Sequence, residues 1–446
     1  MNPQSSALPA QFLSRMEERL GNELQEFIAA HEEETPSSIL LNPLKKADIS
    51  LKEGSSIVPW NQYGKQLRER PKFIRDPLYH AGTYYSQEAS SMVIAQVLDQ
   101  YPVPDNALAL DLCAAPGGKS LVLLNALPED AFLISNEIHK GRASILDENL
   151  LKWGHTNHLI TQTDAKVLSD LTESFDLILV DAPCSGEGMF RKDAGAIQEW
   201  SPGHVKACAV RQQGILEDIL PALKQGGILI YSTCTYAPEE NQGIETFLLG
   251  HGMSPLLLNM DPAWGFESAS EHGHAHQAMI HKVKGEGFYF AAYHKDCAHP
   301  SERLRSVTLA KGSFESSLLT LPDNFKGIQF KGEEYAMDAE REELICTLDA
   351  LRCMKRPGIP LGQWKGKDFI PANGLALIPD WPKAERTEMT LEEAWAYLRR
   401  ETPPIQGPDR GWTLASFQGY PLGWIKWVNG RMKNHYTKEW RIRSQW

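Results

Sequence analysis

The stretch that decides the fold is Leu108-Ala109-Leu110-Asp111-Leu112, followed by Cys113-Ala114-Ala115-Pro116-Gly117-Gly118-Lys119. Its first five residues read as a buried strand, and Leu121, Val122 and Leu124 beyond the glycines read as the start of a helix. An apolar strand, a Gly-rich turn and a helix make the first unit of a nucleotide-binding α/β sheet. The glycines let a ligand approach the backbone, and the helix N-terminus offers free N–H groups. The turn is neither the G-x-G-x-x-G of dinucleotide enzymes nor a Walker loop.

Working outward, further apolar runs occur at Phe132–Ser135, Leu177–Val180, Gly227–Ser232 and Gly287–Ala292, separated by segments long enough for crossover helices. The alternation predicts a doubly wound, Rossmann-like α/β sheet over residues 80–293. Residues 1–79 read as a small α+β module that opens with one amphipathic helix over 9–30, where Phe12, Met16, Leu20, Leu24 and Phe27 share a face. Residues 294–380 and 381–446 read as two small C-terminal modules, divided from the sheet by the polar segment His294–Pro300.

Each predicted strand end carries a polar group. Strand two runs into Asn136-Glu137, where a carboxylate is placed to accept hydrogen bonds from ribose hydroxyls. The third unit ends near Thr163-Asp164-Ala165, where Asp164 can accept from the exocyclic amine of an adenine. Together with the glycine turn, these two acids point to one adenosine-containing ligand. Strand four ends in Asp181-Ala182-Pro183-Cys184-Ser185-Gly186, and strand five in Thr233-Cys234-Thr235. If strands one, four and five are neighbours, both thiols face one crevice beside the cofactor.

Asp111–Lys119, Asp181-Ala182-Pro183-Cys184 and Thr233-Cys234-Thr235 resemble the Sun-type RNA cytosine-5 methyltransferases. Tyr85–Ser91, Gly186–Asp193 and His281–Phe288 match as well, the latter two as in the bacterial branch that acts on small-subunit ribosomal RNA. The resemblance runs from about residue 10 to the end. It implies a methyltransferase sheet that binds S-adenosylmethionine through Cys113, Ala114, Ala115, Pro116, Gly117, Gly118, Lys119, Glu137, Asp164 and Asp181. Cys234 would be the nucleophile, Cys184 would assist product release, and Asp181 would also orient the base. Cysteine suits this chemistry because carbon 5 of cytosine is a poor nucleophile until a thiolate adds to carbon 6. The resemblance further implies an RNA-recognition-like N-terminal module and a PUA-like last module. The substrate would be ribosomal RNA of the small (16S) subunit, near its decoding region.

Composition fits a soluble protein of several domains: 446 residues, 42% hydrophobic and 23% charged. There is no export signal and no long apolar run, so a cytoplasmic monomer without membrane contact is expected. Seven cysteines without a Cys-x-x-Cys pair suggest neither a disulfide framework nor a metal site. The net charge of −12 argues against a general nucleic-acid coat. Two basic clusters stand out against it. Trp424–Trp446 has six basic residues and one acid, a local charge of +5 that leaves −17 for the rest. The other cluster is Lys65, Arg68, Arg70, Lys72 and Arg75. In Gly423–Arg431, tryptophans alternate with basic groups, which suits unpaired bases and phosphates; a core strand pair is the other reading.

Three other functions compete. A DNA cytosine methyltransferase would use Cys184 as nucleophile, directly after the proline. An amino-group methyltransferase would want Asp/Asn-Pro-Pro-aromatic at residues 181–184. A non-catalytic ribosome-assembly factor would need neither thiol.

Overall fold

A computed structural model describes residues 8–46, 55–270, 273–299, 308–312 and 318–443. Its centre is a ten-stranded sheet. Four strands lie side by side and parallel, in the spatial order Leu223–Thr233, Phe175–Asp181, Leu108–Asp111, Phe132–Asn136, and His158–Thr161 continues the parallel run. On the other side Phe288–Lys295 pairs antiparallel with Leu223–Thr233, and Ala275–Ala278 and Glu267–Ser268 continue the sheet antiparallel beyond it. The chain first builds from Leu108–Asp111 through Phe132–Asn136 to His158–Thr161 and then returns to the other side of Leu108–Asp111, so the topological switch lies between the Leu108–Asp111 and Phe175–Asp181 strands. In such sheets the ligand crevice opens there, outside the carboxyl ends.

The strands read as unbroken apolar runs because both faces are covered. Ala109, Leu133, Leu177, Leu179 and Ile230 enter one core with Leu121–Leu124 of the Gly118–Ala126 helix. Their neighbours Leu108, Leu110, Ile134, Ile178 and Leu229 enter the opposite core with Leu216 and Ile219 of the Pro202–Ile219 helix. The alternation is the two-residue period of a strand.

The predicted single helix at the N-terminus is two, Ala10–Leu20 and Leu24–Glu32, joined by a 3-10 turn at Gly21–Glu23. Gly21 takes φ +52°, which a residue without Cβ adopts readily. The bend lets Phe12, Met16, Phe27 and Ala30 all reach Phe190, Trp200 and Tyr236 of the central domain. A four-stranded antiparallel sheet follows, in the order Ser56–Val58, Asn61–Leu67, Ser37–Leu41, Tyr84–Ser86. Its last strand lies just past residue 80, and the chain enters the central domain only after it.

Beyond residue 308 a five-stranded sheet is built around Phe325–Phe330, Glu333–Asp338 and Ile359–Lys365. One segment of this region, Met354–Arg356, leaves it and pairs antiparallel with His158–Thr161 as the far edge of the central sheet. The last module is a four-stranded sheet with the helix Leu391–Leu398, whose N-terminus is fixed by a capping box of Thr390 and Glu393. Trp424 and Trp427 are core residues: both are buried, and their indole nitrogens donate to Ala372 O (2.8 Å) and Thr413 Oγ1 (2.9 Å). Trp424 shares a core with Ile359, Leu361 and Leu375, which joins the two C-terminal sheets. No helix among the described residues is long and apolar enough to cross a membrane.

Candidate active site

The glycine turn is held open from both sides. Gly117 has φ +117° and starts the Gly118–Ala126 helix. A Cβ on Gly118 would lie 2.1 Å from Gln87 Oε1, so any side chain there would displace the Gln87 amide from the turn. Gln87 in turn donates to Ser91 Oγ (2.9 Å), which gives the Tyr85–Ser91 motif a role in shaping the turn. Asp111, at the tip of the first strand, is fully buried; Ser120 Oγ donates to its Oδ2 (2.6 Å) and its Oδ1 has no hydrogen-bond partner. Burial pushes this carboxyl up to about 7. Burial also pushes the Cys113 thiol upward, so Cys113 is suited to lining the turn rather than to nucleophilic attack.

Asn136 ties three strand ends together. Its amide nitrogen donates to Leu112 O and Thr163 O, both at 3.0 Å, and its Oδ1 accepts from Thr161 Oγ1 (2.9 Å) and Thr163 N (3.1 Å). It positions the loops on either side of Glu137. Glu137 is buried, its Oε1 accepting from His139 N (2.9 Å) and its Oε2 lying 3.3 Å from Arg142 Nη1 without a hydrogen bond. Arg142 also donates to Ala115 O (2.7 Å), linking the acid to the glycine turn. Asp164 is exposed, and one of its oxygens caps the short Ala165–Leu168 helix by accepting from Lys166 N (3.0 Å).

Asp181 ends the Phe175–Asp181 strand at the switch point. Its two oxygens are engaged separately: Lys119 Nζ donates to Oδ2 (2.8 Å) and Ser232 Oγ to Oδ1 (2.9 Å). Burial works against the Lys119 ammonium, but the adjacent Asp181 carboxylate outweighs it and raises the pKa. Lys119 therefore joins the glycine turn to the fourth strand as a fixed cation, and its Nζ lies 5.0 Å above the Phe288 ring.

The two cysteines meet. Cys184 Sγ and Cys234 Sγ are 3.2 Å apart, as two half-buried free thiols. Their loops are braced from behind by buried carboxylates. Glu240 Oε2 accepts from Ser185 N (3.0 Å) and from Gln212 Nε2 (2.8 Å), and Gln212 also donates to Pro183 O (3.0 Å). Glu187 Oε2 accepts from Thr235 Oγ1 and Tyr236 N, both at 3.0 Å. The two loops are joined directly by Gly188 N donating to Cys234 O (2.8 Å) and by the Ser185–Thr235 hydroxyl pair (2.9 Å). The hydrogen bond with Cys234, followed by burial, holds the Cys184 thiol well above the usual range. Gln87, Asn136, Arg142, Glu187 and Glu240 are the functional neighbours that local sequence reasoning does not reach, because their partners are distant in the chain. Among the described residues no cluster of three or more His, Cys, Asp or Glu is placed to hold a metal ion.

The residues fit an adenosine-bearing cofactor: a Cβ-free glycine turn, a buried acid with an unbonded oxygen at the second strand tip, and an aspartate at the switch point. This fold and crevice define the class, an S-adenosylmethionine-dependent methyltransferase. The family model described as 16S rRNA methyltransferase RsmB/F matches residues 96–294. The models for the N-terminal domain of 16S rRNA methyltransferase RsmF and for the methyltransferase RsmF PUA domain match 8–89 and 384–442. Ribosomal RNA small subunit methyltransferase F of Aeromonas salmonicida is 31% identical, over 93% of each chain. Its namesake from Klebsiella pneumoniae is 29% identical over 97% of this chain and 96% of its own. The chain belongs to the ribosomal RNA small subunit methyltransferase F family. A solved methyltransferase homolog from Pyrococcus horikoshii superposes with a TM-score of 0.55 at 29% identity, covering 64% of this chain and 94% of its own. NSun6 of the same organism gives a TM-score of 0.55 at 21% identity over 64% of this chain and 98% of its own, a likeness of fold.

Proposed function

We propose that this enzyme methylates carbon 5 of a cytosine in small-subunit ribosomal RNA, near the decoding region, through a covalent bond between Cys234 and the base. The observation that carries this reading is the pair of thiols 3.2 Å apart, beside the Lys119–Asp181 pair. Two thiols so close do not both ionise. The hydrogen bond with Cys234 and burial raise the Cys184 thiol, and Cys234, which directly continues the fifth strand, is the proposed attacking sulfur.

In the first step the Cys234 sulfur pair forms the bond to carbon 6, and the electrons of the 5,6 double bond form the new bond from carbon 5 to the methyl carbon. Bound S-adenosylmethionine supplies that electrophilic methyl and ends as a neutral thioether. In the second step the proton on carbon 5 passes to solvent water, its C–H pair restores the 5,6 double bond, and Cys234 departs as thiolate. Cys184, in contact with the departing sulfur, assists this elimination. Asp181, with one oxygen on Ser232 and the other on Lys119, is fixed to orient the base. Glu137 holds the ribose of the cofactor, Asp164 its adenine, and Cys113–Lys119 the remaining polar groups. The substrate assignment rests on the family and on the names of its members. The sheet from Leu108 to Lys295, with Met354–Arg356 at its edge, is the catalytic domain, and the N-terminal module and the two C-terminal modules flank it and present RNA to it in the cytoplasm.

The test is to incubate small-subunit RNA with the protein and methyl-labelled S-adenosylmethionine, then digest it to nucleosides for mass spectrometry. Label in 5-methylcytidine is expected. Label on an exocyclic amine or a ribose hydroxyl would contradict the reading.

A further inference from the structure

The two basic clusters of the sequence, some 370 residues apart, meet in the folded chain. They line one cleft of about 780 Å³, built from residues 70–75 of the N-terminal module, the C-terminal turn of the Lys140–Trp153 helix, and residues 439–442 of the last module. Arg70, Lys72 and Arg441 are exposed on its walls, and Arg75 is half-buried there. Of its two carboxylates, Glu148 is ion-paired with Lys152 (2.5 Å), leaving Glu439 to oppose the cations. The cleft is therefore positive on a chain whose net charge is −12, a local charge that attracts a polyanion.

It also offers flat and apolar surface. Ile74 is 45% exposed. The half-buried Trp440 ring is held by Lys152 Nζ, 5.3 Å from its centre, and by the edge of Tyr436. Cations interleaved with an anchored aromatic ring are what an unpaired RNA strand needs, charge for phosphates and a plane for a base. The cleft also adjoins the chemistry: its wall residue Asn149 donates to Pro116 O (2.8 Å) of the cofactor turn.

We propose that this cleft binds a single-stranded segment of the substrate RNA, with Arg70, Lys72 and Arg441 on phosphates and Trp440 against a base. The proposal rests on the RNA methyltransferase reading above and assigns the RNA a path between the first and last modules.

The full-length protein is titrated into a fluorescein-labelled oligocytidylate at several salt concentrations, and anisotropy is read. Lys72→Glu and Arg441→Glu are compared with Lys311→Glu, which makes the same charge change on an exposed strand remote in sequence from both clusters. Each cleft reversal should weaken binding by roughly ten-fold and flatten the salt dependence by about one ion, while Lys311→Glu stays close to wild type. Trp440→Leu should weaken binding by about ten-fold with the salt slope unchanged. Calorimetry with S-adenosylmethionine shows that each variant is folded, and Lys72, on an exposed loop, keeps the test valid if Arg441→Glu misfolds. Wild-type affinity and slope in the cleft reversals, or equal losses in Lys311→Glu, would overturn the proposal. Methylation of a small-subunit RNA transcript is assayed in parallel. Labelled 5-methylcytidine with unaffected binding in the reversals sinks the cleft alone. Cleft-dependent binding without labelled cytosine sinks the proposed reaction alone.

Discussion

The loops that carry Cys184 and Cys234 leave adjacent parallel strands at the same level, yet they are built differently. The Cys184 loop follows Pro183 and is braced by Glu240 and Gln212, and its thiol is held protonated by burial and by its partner sulfur. Cys234 continues a strand directly. Thr233 Oγ1 donates to Asn241 Oδ1 (2.7 Å), and Asn241 Nδ2 donates to Thr235 O (3.0 Å), so a threonine is fixed on each side of the sulfur. Two identical side chains 3.2 Å apart thus stand in unlike surroundings, which is what the proposed division of roles between them draws on.

The largest expected effect is on Cys234. Cys234→Ala should reduce methyl transfer to background in a radiolabel assay while leaving cofactor affinity intact; residual turnover near wild type would place the nucleophile elsewhere. Next is Asp181→Asn, which keeps the shape but removes the charge that Lys119 and Ser232 address. Turnover should fall by about 10²–10⁴-fold. A smaller loss of stability, about 1–2 kcal/mol, should accompany it in thermal melts, since Asp181 keeps 31% of its side-chain surface in water. A stability loss with turnover unaltered would make the residue a brace and nothing more.

The two acids assigned to the cofactor are separated by their surroundings. Glu137→Ala should weaken S-adenosylmethionine binding by about 1.5–3 kcal/mol in calorimetry, because the carboxylate is buried and one oxygen awaits a donor. Asp164→Ala should cost only about 0.5–1 kcal/mol, because the group is exposed and already caps a helix. Equal losses in the two variants would show that the exposed acid becomes enclosed when the cofactor binds.

Much of the central domain is legible in the sequence. Leu108–Asp111 and its neighbours are apolar on both faces, a pattern that a two-sided sheet demands. The glycine turn and the polar strand tips then follow from topology. Other features depend on contacts that no local pattern encodes. Nothing near Gly118 announces Gln87, and nothing near Glu137 announces that Asn136 is consumed by the backbone at Leu112 and Thr163. Trp424 and Trp427 alternate with basic residues as an RNA-facing strand would, yet both are buried, on opposite faces of the strand: Trp424 packs against the neighbouring sheet and Trp427 against the Leu391–Leu398 helix. Gly21 splits a helix whose apolar face looks continuous, since the packing partners Phe190, Trp200 and Tyr236 demand a bend. Met354–Arg356 is too short to read as a strand and becomes one only by joining the edge at His158–Thr161.

The unequal roles of the two thiols are tested most directly by incubating the protein with small-subunit RNA and S-adenosylmethionine, then running a denaturing gel with and without ribonuclease. Cys184→Ala should accumulate a ribonuclease-sensitive protein–RNA adduct, because attack and methyl transfer proceed while elimination stalls. Cys234→Ala and the double variant should show none. An adduct trapped by Cys234→Ala and absent from Cys184→Ala would reverse the assignment and make Cys184 the nucleophile.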